Sequence, residues 1–323
     1  MSERAPATAV AMPPAPGLPG PGEPSVPEAP RGLRTWVRAR GYTPTVWLVL
    51  PGVIFMIAFF IYPVIYGLNL SFQGRSGGIS AYIDFFTNQF PHDSGSADTL
   101  WTTLKLSIPA TVICVLLAVP IAWRFRSGVR GLRVFTAIIM IPMTLGSVFV
   151  AESLNTLLGP AGWLNRLLLA LHLVTEPIQL TGNFTGVLIA LVFTGLPFAF
   201  LLMLGFAAGI DASLDKAASI LGAGPLQRFW RIDFPLLLPG ITITFALSFV
   251  LSFGVFPSAT LLGNDAGPTR VLSKVAYQEY SNGNYANASA TAMIMAIAQL
   301  IVLGVVFLGR SRLYRGSTAG GKG

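Results

Sequence analysis

Outside its proline-rich start, the chain has six long stretches without Asp, Glu, Lys or Arg: 41–74, 106–123, 134–151, 177–210, 234–264 and 281–309. A hydrocarbon core about 30 Å thick is crossed by roughly 20 apolar residues of helix. A charge held at its centre costs about 2.5–3.5 kcal/mol on insertion scales. The pattern therefore predicts six spans, near 45–70, 100–123, 132–151, 186–209, 240–262 and 286–308. Pro197 and Pro257, with Gly195 and Gly254 beside them, are expected to kink the fourth and fifth. The segment 163–174 (WLNRLLLALHLV) is apolar on one face but carries Arg166 and His172. It is too short to cross and is expected at the interface or between spans.

The polar positions give the orientation. Arg4, Arg31, Arg34, Arg38 and Arg40 precede the first span, and Arg124, Arg126, Arg130 and Arg133 lie in the second connection. Lys216, Arg228 and Arg231 lie in the fourth connection, and Arg310, Arg312, Arg315 and Lys322 follow the last span. Six spans thus put 16 of the 21 lysines and arginines on one side, which the positive-inside bias marks as cytoplasmic, both termini included. Arg75, Lys105, Arg166, Arg270 and Lys274 fall on the other. The net charge of +8 is a topology signal and calls for no nucleic-acid partner.

Composition agrees, with 53% hydrophobic and 11% charged residues and a mean hydropathy of +0.66. Soluble domains carry roughly 25% charged residues, enough to cover a water-facing surface. Cys114 is the single cysteine, so intramolecular disulfides and cysteine-based metal sites are excluded. His92 and His172 have no metal-ligand spacing. Residues 1–40 read as a disordered, proline-rich tail with no signal-peptide pattern, 41–313 as the membrane domain, and 314–323 as a second tail. GSTAGGKG at the chain end lacks the Ser/Thr and the following helix of a phosphate-binding loop.

One connection is long and polar. Residues 211–239 predict a short helix opening near Asp211 or Ser213, ended by Gly222 and Gly224. A second short helix starts at Pro225, with Pro235 and Pro239 expected to stop it before the fifth span. Ala217, Ala218 and Gly222 would give this pair of helices a face of little bulk.

This segment resembles the EAA loop of binding-protein-dependent ABC importer permeases: Glu-Ala-Ala, three residues, Gly, nine residues, Ile-x-Leu-Pro. Ala217, Ala218, Gly222, Ile232 and Pro235 stand at the matching spacings, and Phe234 replaces the Leu. Lys216 occupies the Glu position, with Asp215 just before it. The resemblance implies an all-α, six-span, type I permease fold in a bacterial inner membrane, with residues 211–239 as the ATPase-coupling loop. It further implies a second permease subunit, identical or homologous, two ATPase subunits that bind ATP and magnesium, and an extracytoplasmic solute-binding protein. The chain itself would hold no cofactor and perform no covalent chemistry. The loop phrasing is more similar to polyamine, ferric-iron and thiamine permeases than to sugar or glycerol-phosphate ones, so a polyamine or similar small solute is expected.

Thr244, Ser248 and Ser252 recur every four residues on one face of the fifth span. They would line a polar path or, as small polar residues do between membrane helices, support close packing. Glu152 and Asn155, at the end of the third span, are further path candidates. A secondary carrier or channel is the reading from another class. It would call for intramembrane carboxylates or repeated, interrupted helices, and the gaps offer only Glu152 at a rim. A membrane-embedded enzyme would need clustered His, Asp, Glu or Cys within the spans.

Overall fold

The computed structural model describes residues 45–87, 96–126, 131–264 and 269–313. Both predicted tails, His92 and the chain-end glycine motif lie outside these. Every regular element among the described residues is helical. Two compact units divide at Tyr62. The first holds α1 (Thr45–Met56) and a π-helical turn, Ile57–Ile61, with the side chains from Val49 to Ile61 exposed.

The second unit holds α2 (Tyr62–Ser71, from Pro63 on), α3 (Ser80–Phe86), α4 (Ser96–Phe125), α5 (Leu132–Leu145), α6 (Ser147–Leu158), α7 (Trp163–Ala170) and α8 (Phe184–Ala208). After these come α9 (Ala212–Ile220), α10 (Pro225–Arg228), a π-helical turn at Phe229–Asp233, α11 (Phe234–Phe253), α12 (Pro257–Leu261), α13 (Leu272–Ser281) and α14 (Tyr285–Leu313). Long α4 and α8 form the most extensive helix pair, and α11 packs on both. Small residues permit the approach: Ala110, Ala118, Ala190 and Ala199 are fully buried between them. Asn183 caps α8, its Oδ1 accepting from the Gly186 N–H at 3.0 Å.

Five helices are long and apolar enough to cross a membrane: Val49–Ser71, Ala97–Phe125, Phe184–Ala208, Pro225–Phe253 and Tyr285–Arg310. The expected third span, 132–151, is not one helix. It breaks at Gly146 (φ +81°), and the two halves bend by 101°; six spans result when this pair counts as one. Only glycine takes that backbone without strain, and a hydropathy pattern does not register it.

The helix that carries the fifth span runs over Pro225–Phe253, beginning and ending ahead of the expected 240–262. Pro235 and Pro239 do not stop the loop helix. A π-helical turn, in which the Phe234 N–H reaches the Phe229 carbonyl, widens the backbone just ahead of Pro235. Pro235 then sits in the first turn of α11, where its missing N–H is tolerated, and Pro239 lies inside the helix. At the other end Gly254 terminates α11, and Pro257 opens the separate α12 instead of kinking the span.

Candidate functional site

The 211–239 loop folds as its local chemistry dictates. Asp211 Oδ1 accepts from the Ser213 N–H at 2.8 Å and caps α9. That bond holds the Asp211 carboxyl below its ordinary range. At the other end Gly222 has φ +83°, its N–H donates to the Ser219 carbonyl at 3.0 Å, and the Ala223 N–H donates to the Ala218 carbonyl at 3.0 Å. This pair of bonds is the Schellman closure, which a left-handed glycine makes possible.

The loop residues singled out by spacing do not share one face. Lys216, Ala217 and Gly222 are exposed, whereas Ala218 is only 8% exposed and packs inward. The expected low-bulk face of Ala217, Ala218 and Gly222 is therefore split by the helical turn. Ile232 is half-buried and Pro235 exposed. Asp215 is half-buried and pairs with Arg126 of its own chain, while Lys216 is exposed.

What covers the loop's outer surface was missed by spacing alone. Ile220 is 86% exposed, Leu221 88% and Leu226 71%. Three large aliphatic side chains at the tip of a polar loop form a patch that water does not favour, a mark of an interaction surface. The signal was the Ile-Leu pair closing α9 just before Gly222.

The inner surface also escaped the sequence reading. Arg126, just past α4, donates from Nη1 to Asp233 Oδ1 at 2.6 Å and from Nη2 to Asp233 Oδ2 at 3.0 Å. Its Nη2 also pairs with Asp215 Oδ2. Trp123 Nε1 donates to Asp233 Oδ2 at 2.7 Å, and the Trp123 ring lies 4.9 Å from that of Phe229. Beside this network a cavity of about 210 Å³ is lined by Trp123, Arg124, Arg126, Asp215, Pro225 and Arg228.

Thr244, Ser248 and Ser252 are buried within the chain, and Thr244 Oγ1 and Ser248 Oγ have no hydrogen-bond partner. Ser252 borders a cavity of about 280 Å³ together with Ser147, Thr194, Gly195, Phe256 and Ser258. Glu152 is exposed and Asn155 half-buried on α6; neither lines that cavity. The structure thus does not gather the five candidates into one lining. Among the described residues no group of three or more His, Cys, Asp or Glu could hold a metal ion.

Comparison with known proteins adds four findings. Residues 110–313 match the family described as "Binding-protein-dependent transport system inner membrane component". The chain is 28% identical over 268 residues to the spermidine/putrescine transport system permease protein PotB of Haemophilus influenzae, covering 80% of this chain and 92% of that one. It is 32% identical over 212 residues to the molybdenum transport system permease protein ModB of Mycobacterium tuberculosis, covering 65% and 78%. The fold is similar to a bacterial ABC transporter that imports the acidic polysaccharide alginate, with a TM-score of 0.71 at 20% identity, covering 87% of this chain and all of that one.

Proposed function

Because this chain belongs to the binding-protein-dependent transport system inner membrane components, we propose that it couples to an ATPase through the 211–239 loop and carries a polyamine or similar small cation. It is a multi-pass inner-membrane permease subunit of an ABC importer, not an enzyme. Its partners are ATPase subunits, a solute-binding protein and a second permease of the same kind.

One observation carries the coupling reading: the aliphatic side chains of Ile220, Leu221 and Leu226 stand exposed at the tip of a loop whose far side is tied to the spans. Such a tip suits an apolar groove on another protein. Asp215, Lys216, Ala217, Ala218, Gly222, Ile232 and Pro235 shape the loop. Within it Lys216, Ala217 and Gly222 face the ATPase, and Asp215 and Ala218 face the permease.

The polyamine reading rests on the PotB likeness and on Glu152, a carboxylate at the rim of the third apolar stretch. An anionic solute would be repelled there. Glu152, Asn155 and Ser252 are assigned to the path. Thr244 and Ser248, buried within the chain, serve span packing. With ATPase and binding protein in proteoliposomes, labelled spermidine should be taken up, and Glu152→Gln should lower that uptake about tenfold, as loss of one charge-assisted contact does. Uptake of molybdate in place of spermidine would reject this substrate class.

Orientation is open to a direct check. Cysteines at Leu226 and Ser317 should be labelled from the cytoplasm, and cysteines at Leu180 and Asn282 from outside. An outside signal at Leu226 would remove the ATPase from reach of the loop.

A further inference from the structure

Residues 211–228 have little apolar attachment to their own chain: Ala218 is the buried residue of α9 and α10 buries none, whereas Phe229 and Leu237 beyond them pack into the apolar core. The loop's polar attachment converges on one guanidinium. Arg126 follows the last residue of α4, Asp215 lies in α9, and Asp233 closes the π-helical turn that leads into α11. The Arg126 side chain is 8% exposed, Asp233 1% and Asp215 27%. The contact is therefore largely out of water and little screened by salt.

Each neighbouring group adds to the same junction. Trp123 donates to Asp233 at 2.7 Å, and Arg126 stands 5.9 Å from the Trp123 ring centroid. Arg228 Nη1 in α10 donates to the Asp215 carbonyl at 3.3 Å. A planar fork can engage two carboxylates at fixed angles, which a single ammonium cannot. The wide turn at Phe229–Asp233 orients Asp233 inward while leaving Trp230 and Arg231 exposed.

We propose that Arg126 is a positioning residue that clamps the loop to the second span, so that α9, the start of the fifth span and the end of α4 move as one body. A push received at the loop tip reaches the spans only through a joint that does not yield, and Arg126 is where three helices meet. The functional consequence rests on the loop being the ATPase-docking element; the clamp itself does not.

The test uses spin labels at Ser219→Cys, exposed on α9, and Leu116→Cys, exposed on α4, in a Cys114→Ala chain. Distance distributions are recorded for the chain alone, and for the ATPase-bound complex without nucleotide and with ATP and vanadate. The wild-type pair should give one narrow distance that does not change between nucleotide states. Arg126→Ala should widen it about twofold or more, as loss of a joint between locally stable units does, with Arg126→Lys in between. Asp215→Asn keeps the buried Arg126–Asp233 pair and should widen it too. A control pair, Leu116→Cys with Leu300→Cys on α14, should stay narrow throughout. An unchanged distribution in Arg126→Ala, a wild-type peak that moves with nucleotide, or a control pair that broadens alongside would each overturn the clamp. The measurement on the chain alone needs no ATPase, so failure of the docking reading shows separately, as retained ATPase binding in a loop-tip variant.

Discussion

Replacing Ile220 and Leu221 together with aspartate should abolish co-purification of the ATPase and with it all solute uptake, while the chain still inserts at normal levels. Both side chains are almost fully exposed in the chain alone, at 86% and 88%. Covering such a side chain on docking contributes about 1.5–3 kcal/mol. The two together contribute roughly 3–6 kcal/mol before ordering costs, and each 1.4 kcal/mol is tenfold in affinity. A loss of at least about 100-fold in ATPase affinity is expected on that scale. Insertion should be unaffected, because the loop lies outside the bilayer. Ser219→Asp on the same helix, already exposed and polar, is the control. Wild-type ATPase recovery with the doubly substituted chain would show that the loop tip is not the docking surface.

Gly222→Leu tests a different property of the same loop. A Cβ at Gly222 would meet nothing within 4 Å, so its cost comes from the left-handed backbone alone. That cost is about 1–2 kcal/mol, smaller than the loss of both aliphatic contacts. Ala218→Trp would force bulk into the inward face of α9, so any loss of uptake there would report on the loop's attachment and not on docking.

Asp233→Ala should be the most destabilising single change in the loop. It leaves the Arg126 guanidinium, 8% exposed, with Asp215 as its remaining carboxylate and removes the acceptor of the Trp123 N–H. Breaking a buried ion pair by removing one partner costs about 3–5 kcal/mol, because the surviving charge stays out of water. At 2–4 °C per kcal/mol for a chain of this size, the unfolding midpoint of the detergent-purified protein should fall by about 10 °C. Arg126→Met with Asp233→Leu should be milder, since no fully buried charge is left behind. Lys216→Ala, on the exposed side of α9, should shift the midpoint by less than about 2 °C. A shift that small for Asp233→Ala would mean the pair adds nothing to folding.

Sequence and structure part company at backbone geometry. The charge-free stretches located six apolar segments because hydrophobicity is a property of side chains in order along the chain. Gly146 and the π-helical turn at Phe229–Asp233 act through backbone torsions, which hydropathy does not encode. The first breaks the third segment into two helices, and the second lets the loop helix run unbroken past Pro235 into the fifth span.

The candidate site divides along the same line. The ends of α9 were legible because capping depends on neighbours: Asp211 reaches Ser213, and Gly222 supplies the left-handed turn. The loop's spacing pattern and the family it pointed to were also carried by the order of residues. Which side of α9 each residue faces depends on what the rest of the chain packs against that helix, so Ala217 and Ala218, adjacent in sequence, ended one exposed and one buried. Arg126 counted in the sequence only as one positive charge among sixteen on the same side. Its partners lie 89 and 107 residues away, and only packing brings them within reach. The sequence by itself determined that this protein crosses the membrane several times and carries a capped polar loop, because burial in lipid and helix capping are local demands on residue type. The tertiary structure alone decided that the loop is tied to the second span by one guanidinium and presents an aliphatic tip outward, because an ion pair and an exposed face exist only once distant helices have packed.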